Sequence, residues 1–306
     1  MAANVFKNTT KTVAKAAVGV LAQEVVLPTV VTRDFDTEFG APSGATVNAR
    51  IGALLTASDY SDAFDEHGTA VTRSALVERN IAITLDKLPY SAVPISSEEQ
   101  TLEIDDFGAR VLTPQVRAVA ERMEGYIAAA LAAAPYASAN DIELDPAAPW
   151  DSIVDARAAL NAANVPRGDR YLVVGASCES AILKDDSLVR PVNTSGVDSA
   201  LREAEIGKLA GFTVIGSNAV AADTAYAVHK SAFILATRAP VGPMGSPDTA
   251  GAAYGGLAAT WAAQWNDNLL QNESVVWSFA GVAPVLDGAG DAEMVRAVQL
   301  TLGAGE

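Results

Sequence analysis

The sequence predicts an α+β fold. Stretches patterned like helices and stretches patterned like strands take up similar shares of the 306 residues, and they lack the regular strand-helix alternation of a doubly wound sheet. There is no internal repeat. Half of the residues are hydrophobic, enough for a substantial core arranged as one large domain or two moderate ones.

The first forty-odd residues read as an arm. Thr9 to Val26 carries small apolar residues at helical intervals with Lys7, Lys11 and Lys15 along one side, and Pro28 ends it. The polar run VVTRDFDTEFG that follows has no core of its own. From Ala45 to about Ile95 the period changes to two. Val47, Ala49 and Ile51 alternate with polar or small residues, and Val77, Ile81, Ile83 and Leu85 share one face of a second run. These are the strands of a long hairpin with an acidic connection, and little nearby sequence is available to cover one of its faces.

The strongest helical pattern comes next. Thr113 is placed as N-cap with Pro114 at the first helical position, and Val116, Val119, Ala120, Met123, Ile127, Leu131 and Ala134 recur at threes and fours up to Pro135. Roughly twenty residues make a rod of about 30 Å. Arg117 and Glu121 form an i,i+4 pair on its outer side. A second helix is expected from Ser152, with Asp155 completing a capping box, to Asn164 before Val165-Pro166. The tripeptide Arg167-Gly168-Asp169 is a turn into the strand RYLVVG, and a short helix follows from Ser177 to Lys184. The remainder, including AYAVHKSAFILAT, GGLAATWAAQW, SVVWSFAGVAPVL and MVRAVQL, is strand-rich.

Composition removes several function classes. The net charge of -16 opposes tight gripping of a phosphate backbone, which needs clustered Lys and Arg. One cysteine, Cys178, cannot form an intramolecular disulfide, so a reducing compartment is the simplest setting, and the apolar runs are too short to span a bilayer. No membrane is implied.

The chemical candidates fail one by one. Gly211 to Asn218, GFTVIGSN, has the two-glycine spacing of a phosphate loop, but Ser217-Asn218 stand where Lys and Ser or Thr are required, Lys208 lies upstream, and the residues between the glycines are strand-like. Cys178 with His67 or His229 is a nominal nucleophile and base, although a lone cysteine is more often a small buried hydrophobe. Ser177 in GASCE lacks the second glycine of a nucleophile elbow. The acidic groups Asp34, Asp36, Glu38, then Asp59, Asp62, Asp65, Glu66, then Glu98 and Glu99 lack the ordered spacing of a calcium loop. The sequence therefore assigns no catalytic, cofactor-binding or metal-binding residue.

The succession of an arm, a hairpin ending in VERNIAITLDKLPYSAVPISSEEQTLEI, the helix LTPQVRAVAERMEGYIAAAL, the strand VPRGDRYLVVG and the segment EIGKLAGFTVIGSN resembles tailed-bacteriophage major capsid proteins. The resemblance is to the Hong Kong 97-type fold, in its podovirus and actinobacteriophage coat branch, and it covers nearly the whole chain. Ile206-Gly207, Gly211-Phe212 and Ser217-Asn218 are its most telling residues. It implies an N-terminal arm over 1–44, an extended hairpin loop over 45–95, and a peripheral domain over 96–150 with a spine helix at 113–134. An axial domain over 151–250 and returning strands over 251–306 that complete the peripheral sheet follow. It further implies a structural protein, not an enzyme, that assembles as pentamers and hexamers into an icosahedral virion shell. The shell would form in the host bacterial cytoplasm and would enclose DNA without sequence-specific binding. A portal, a separate scaffolding protein and a decoration protein are the implied partners. An inserted β-barrel is not accommodated by the length, and Lys87, near the base of the hairpin, gives no support for covalent cross-linking. An encapsulin-like nanocompartment shell and a soluble α+β enzyme using an acidic cluster or Cys178 stay open as alternatives.

Overall fold

In the computed structural model, residues 26–33, 46–51, 79–96, 108–185, 207–242, 249–254, 257–266, 271–287 and 292–303 are described. The expected helix over Thr9 to Val26, apart from Val26 itself, all the acidic clusters and His67 lie outside them.

Helix α1 spans Thr113–Ala133. Its apolar positions recur at threes and fours, so Val116, Val119, Met123, Ile127 and Leu131 are all buried on one side. It ends where Ala134 turns extended ahead of Pro135. The start differs from expectation: a π-helical turn, Gly108–Leu112, leads straight in, so Leu112 stands at the N-cap and Thr113 is the first α-helical residue. Helix α2 spans Pro149–Ala162, three residues earlier than the capping-box reading, because Pro149 fits the first helical position. Ser152 serves another end; its Oγ accepts the Asp145 N–H at 3.1 Å. At the C-terminus Asn164 adopts φ 54°, and the bonds Asn164 N to Asn161 O and Val165 N to Leu160 O, both 3.0 Å, close a Schellman turn. Helix α3 is Ala176–Lys184.

Strands β1 (Thr46–Ile51) and β2 (Arg79–Thr84) pair antiparallel from Thr46 opposite Thr84 to Ile51 opposite Arg79, as the alternation predicts. Strand β3 (Tyr90–Ser96) leaves that hairpin. It becomes the edge of a four-stranded sheet, in the order β10 (Thr249–Tyr254), β11 (Leu257–Asn266), β12 (Gln271–Trp277), β3. The largest sheet has six strands, in the order β4 (Asp141–Leu144), β14 (Ala297–Leu302), β8 (Thr224–His229), β5 (Arg170–Val174), β7 (Phe212–Gly216), β6 (Lys208–Leu209). Strands β9 (Phe233–Arg238) and β13 (Phe279–Pro284) form a separate pair. The C-terminal strands thus divide: β10 to β12 join β3, whereas β14 enters the six-stranded sheet between β4 and β8. Its parity explains this, since Val298 and Leu300 add to one core and Ala297 to another.

Alternation along the central strands divides the interior. Val173, Tyr226 and Val228 belong to the core that contains α1, Phe233, Trp261 and Val276. Leu172, Val174, Ala225 and Ala227 belong to the core with Ile153 and Leu160 of α2 and Cys178 and Ile182 of α3. Strands covered on both faces carry apolar residues at consecutive positions, which is why RYLVV and AYAV read as unbroken runs. A third cluster joins Ile83 of β2 to Ile234, Ala236, Ala283 and Val285. One face of the hairpin is therefore packed on this chain's own β9–β13 pair at Ile83, which is 0% exposed, while Ala82 and Thr84 on the other face are exposed. Gly281 allows the approach: a Cβ there would lie 2.2 Å from the Thr84 carbonyl oxygen.

Because Ile83 anchors the hairpin within one subunit, Ile83→Ala is expected to lower the unfolding free energy by about 2–5 kcal/mol. Urea denaturation of the dissociated chain measures it; an unchanged midpoint would show that β2 does not pack on β9 and β13.

Candidate functional site

The candidate nucleophile and base are far apart in chemistry and in space. Cys178 is fully buried among Leu172, Val174 and Ile182, and its backbone N–H is bonded to Ala222 O at 3.2 Å, just before β8 begins. His229 closes the other end of β8, about 17 Å along the strand. Burial, with a smaller contribution from Asp223, pushes the Cys178 thiol up to about 11, the reverse of what an attacking thiolate requires. The His229 ring is committed elsewhere. Its Nδ1 accepts the Ser231 N–H at 3.2 Å and lies 2.8 Å from Ser231 Oγ, and Arg296 donates to the same hydroxyl at 3.0 Å. Desolvation, then the Arg296 charge, holds the imidazole below its ordinary 6.5.

GFTVIGSN is a strand with a tight turn before it. Ala210 at φ 47° and Gly211 at φ 85° are the two central residues of a hairpin between β6 and β7, with Leu209 opposite Phe212. Arg157 Nη1 fixes that turn by donating to Ala210 O at 2.9 Å. At the strand's far end Gly216, Ser217 and Asn218 line a cavity of about 470 Å³ together with Arg117, Glu121 and Glu124 of α1. Two carboxylates facing one guanidinium suit phosphate poorly. Glu124 is already engaged, accepting the Val26 and Leu27 N–H groups. Gly175, in GASCE, is required for packing: a Cβ there would meet the Ala221 carbonyl oxygen at 2.1 Å. No group of three or more potential metal-ligating side chains occurs among the described residues.

What the sequence does not disclose is a set of polar fasteners. Gln115, 2% exposed, donates to Ser274 O at 2.7 Å and Ser91 O at 3.3 Å and accepts from Ser274 Oγ at 2.8 Å, while Trp261 Nε1 donates to Ser274 Oγ at 3.0 Å. This ties the first turn of α1 to β3, β11 and β12. Arg170, also buried, donates to Val165 O at 2.6 Å, Pro166 O at 2.8 Å and Asn161 Oδ1 at 3.0 Å, holding a cation at the C-terminus of α2. Asn140 donates to the carbonyls of Met294, Val295 and Ala297. A glutamine at a helical position whose neighbours Val116 and Val119 are core residues was the available sign. These groups build a scaffold and present no reacting centre.

A family model described as phage capsid protein matches residues 83–267. A solved structure from Mycobacterium phage Che8 aligns with a TM-score of 0.64 at 18% identity over 90% of each chain. The capsid of Ralstonia phage GP4 aligns at 0.63 and 11% identity over 90% of this chain and 88% of that one. The capsid of cyanophage P-SCSP1u aligns at 0.59 and 15% identity over 100% and 92%. At these identities the likeness is one of fold, and the mixed helix-and-sheet architecture expected from the sequence is the one they share. No curated protein matches the chain.

Two measurements follow from the buried groups. Cys178 should resist a thiol reagent at pH 8 in the folded chain and react fully in denaturant; rapid native labelling would contradict its burial. Because the folded-state pKa of His229 is depressed, its contribution to stability is present above about 6.5 and is lost as the pH falls through the folded value. His229→Gln should therefore flatten the decline of the urea midpoint below pH 6.5, and an identical pH profile in wild type and variant would remove His229 from that role.

Proposed function

The chain belongs to the phage capsid protein family, and from that premise we propose that it is the major capsid protein, closing an icosahedral shell of pentamers and hexamers around double-stranded DNA. The extent of the family match, residues 83–267, carries this reading. It makes the protein a structural component of the virion. We assign it no catalytic role, in keeping with a buried thiol and a histidine committed to Ser231.

The division of labour we propose keeps the boundaries expected from the sequence. Residues 1–44 form the arm, 45–95 the extended loop, 96–150 the peripheral domain, 151–250 the axial domain and 251–306 the returning strands. Several features support it. Helix α1, at 21 residues, is a rod of about 30 Å suited to a spine. Strands β10 to β12 return to β3 beside it. The six-stranded sheet with α2 and α3 supplies a compact unit for the axial domain, joined by β4 from the 96–150 segment and by β14 from the returning segment.

The charge of -16 suits a wall that must contain DNA without adhering to it, since each phosphate contact by Lys or Arg adds a counterion-release gain. A portal, a separate scaffolding protein and a decoration protein are the partners we propose, with assembly in the host bacterial cytoplasm. Expression of the full chain together with the other head genes should give closed particles by negative-stain microscopy, sedimenting far ahead of the monomer. A chain that stays monomeric under those conditions would overturn the reading.

A further inference from the structure

The ladder between β3 and β12 extends past both strands without a change of register. Tyr90 lies opposite Trp277 and Ser96 opposite Gln271, and the same register continues through Pro89 O, which accepts the Ser278 N–H at 3.1 Å, to Lys87 opposite Ala280. Leu88 is therefore opposite Phe279. One face of this ladder, with Ser91, Ser274 and Val276, turns toward the α1 core. The opposite face carries Leu88 with Phe279, Tyr90 with Trp277, Ala92 with Val275 and Pro94 with Glu273. Leu88 is 50% exposed, Tyr90 70% and Phe279 36%.

Four such pairs make a stripe about 20 Å long in which a single residue, Glu273, is charged. Contiguous apolar surface of this kind, exposed at Leu88, Tyr90, Ala92 and Pro94 and half-buried at Val275 and Trp277, marks an interaction site. The face is the contact, because Pro94 removes an N–H from the open edge of β3 and discourages addition of a further strand. We propose that this stripe is covered by a second copy of the chain in the assembled shell, an inference that rests on the shell reading above.

Charge selects that occupant. Copies each carrying -16 repel over most of their surfaces, so the nearly uncharged stripe is where they meet at least electrostatic cost. Its size agrees: two strands by about 20 Å is well below the roughly 800 Å² per partner of a stable pair. The contact therefore holds only as one of several made by each subunit, as closed symmetry provides.

Tyr90→Cys tests this, since Cys178 is the only native cysteine and is buried. In the full chain, a maleimide should label position 90 readily in dissociated subunits and at least tenfold more slowly in closed particles. Tyr90→Asp should keep the wild-type circular dichroism while reducing particle yield at least tenfold. Equal labelling rates in particles and subunits would overturn the proposal, and they decide the matter even if Tyr90→Asp fails to fold. Normal particles from Tyr90→Asp that no longer retain another head protein would also overturn it, by giving the stripe to that protein. If wild type forms no particle with the head genes present, the shell reading fails and this inference with it; particles from both chains would sink the inference alone.

Discussion

Strands β5 and β8 have no wet face, and the rest of the molecule is organised around that constraint. Their residues alternate between two cores, one shared with the long helix α1 and one with α2 and α3. Apolar burial on both sides stabilises the sheet by roughly 25 cal/mol per Å² removed from water. It also fixes the register, because a slip of one residue would exchange the two faces. Tyr226 goes to the α1 side, where it stacks with Tyr136 at 6.2 Å between ring centroids, while Ala225 and Ala227 leave room for the helices on the other side.

Elements that do not share those two cores are held by fewer and more specific contacts. The hairpin of β1 and β2 rests on Ile83 and on the space left by Gly281. The four-stranded sheet is bound to α1 by Gln115, whose amide satisfies groups on β3 and β12 at once. Loss of one partner from such a buried network leaves polar atoms unpaired at about 1–3 kcal/mol each. The segment entering at Val26 is held by the Glu124 carboxylate and by the pairing of Thr32 with Ile234.

This distribution fits a shell subunit. A rigid two-core body gives a constant shape, and elements attached to its periphery by small contacts present surface to neighbours. The stripe over Leu88, Tyr90 and Phe279 lies where the hairpin leaves the body, on strands whose other face is already committed to α1. A closed shell gains its stability from repetition of modest contacts, so no single large apolar surface is needed on the isolated chain.

Much of this was legible in the residues. The 3.6 period from Val116 to Leu131, the alternation around Ile81 and Ile83, and Pro135 and Asn164 as boundaries follow from local geometry, which any chain with these residues must obey. So does the rejection of GFTVIGSN as a phosphate loop, since its missing lysine and its strand-like middle are local facts. Local geometry cannot say which distant surface covers a face. That Ile83 packs on β9 and β13, that Tyr90 to Ser96 pairs with β12, and that β14 enters the larger sheet depend on partners about 70 to 200 residues away in sequence. YSAVPIS is apolar on both sides, so its buried and open faces were settled only when α1 took one of them.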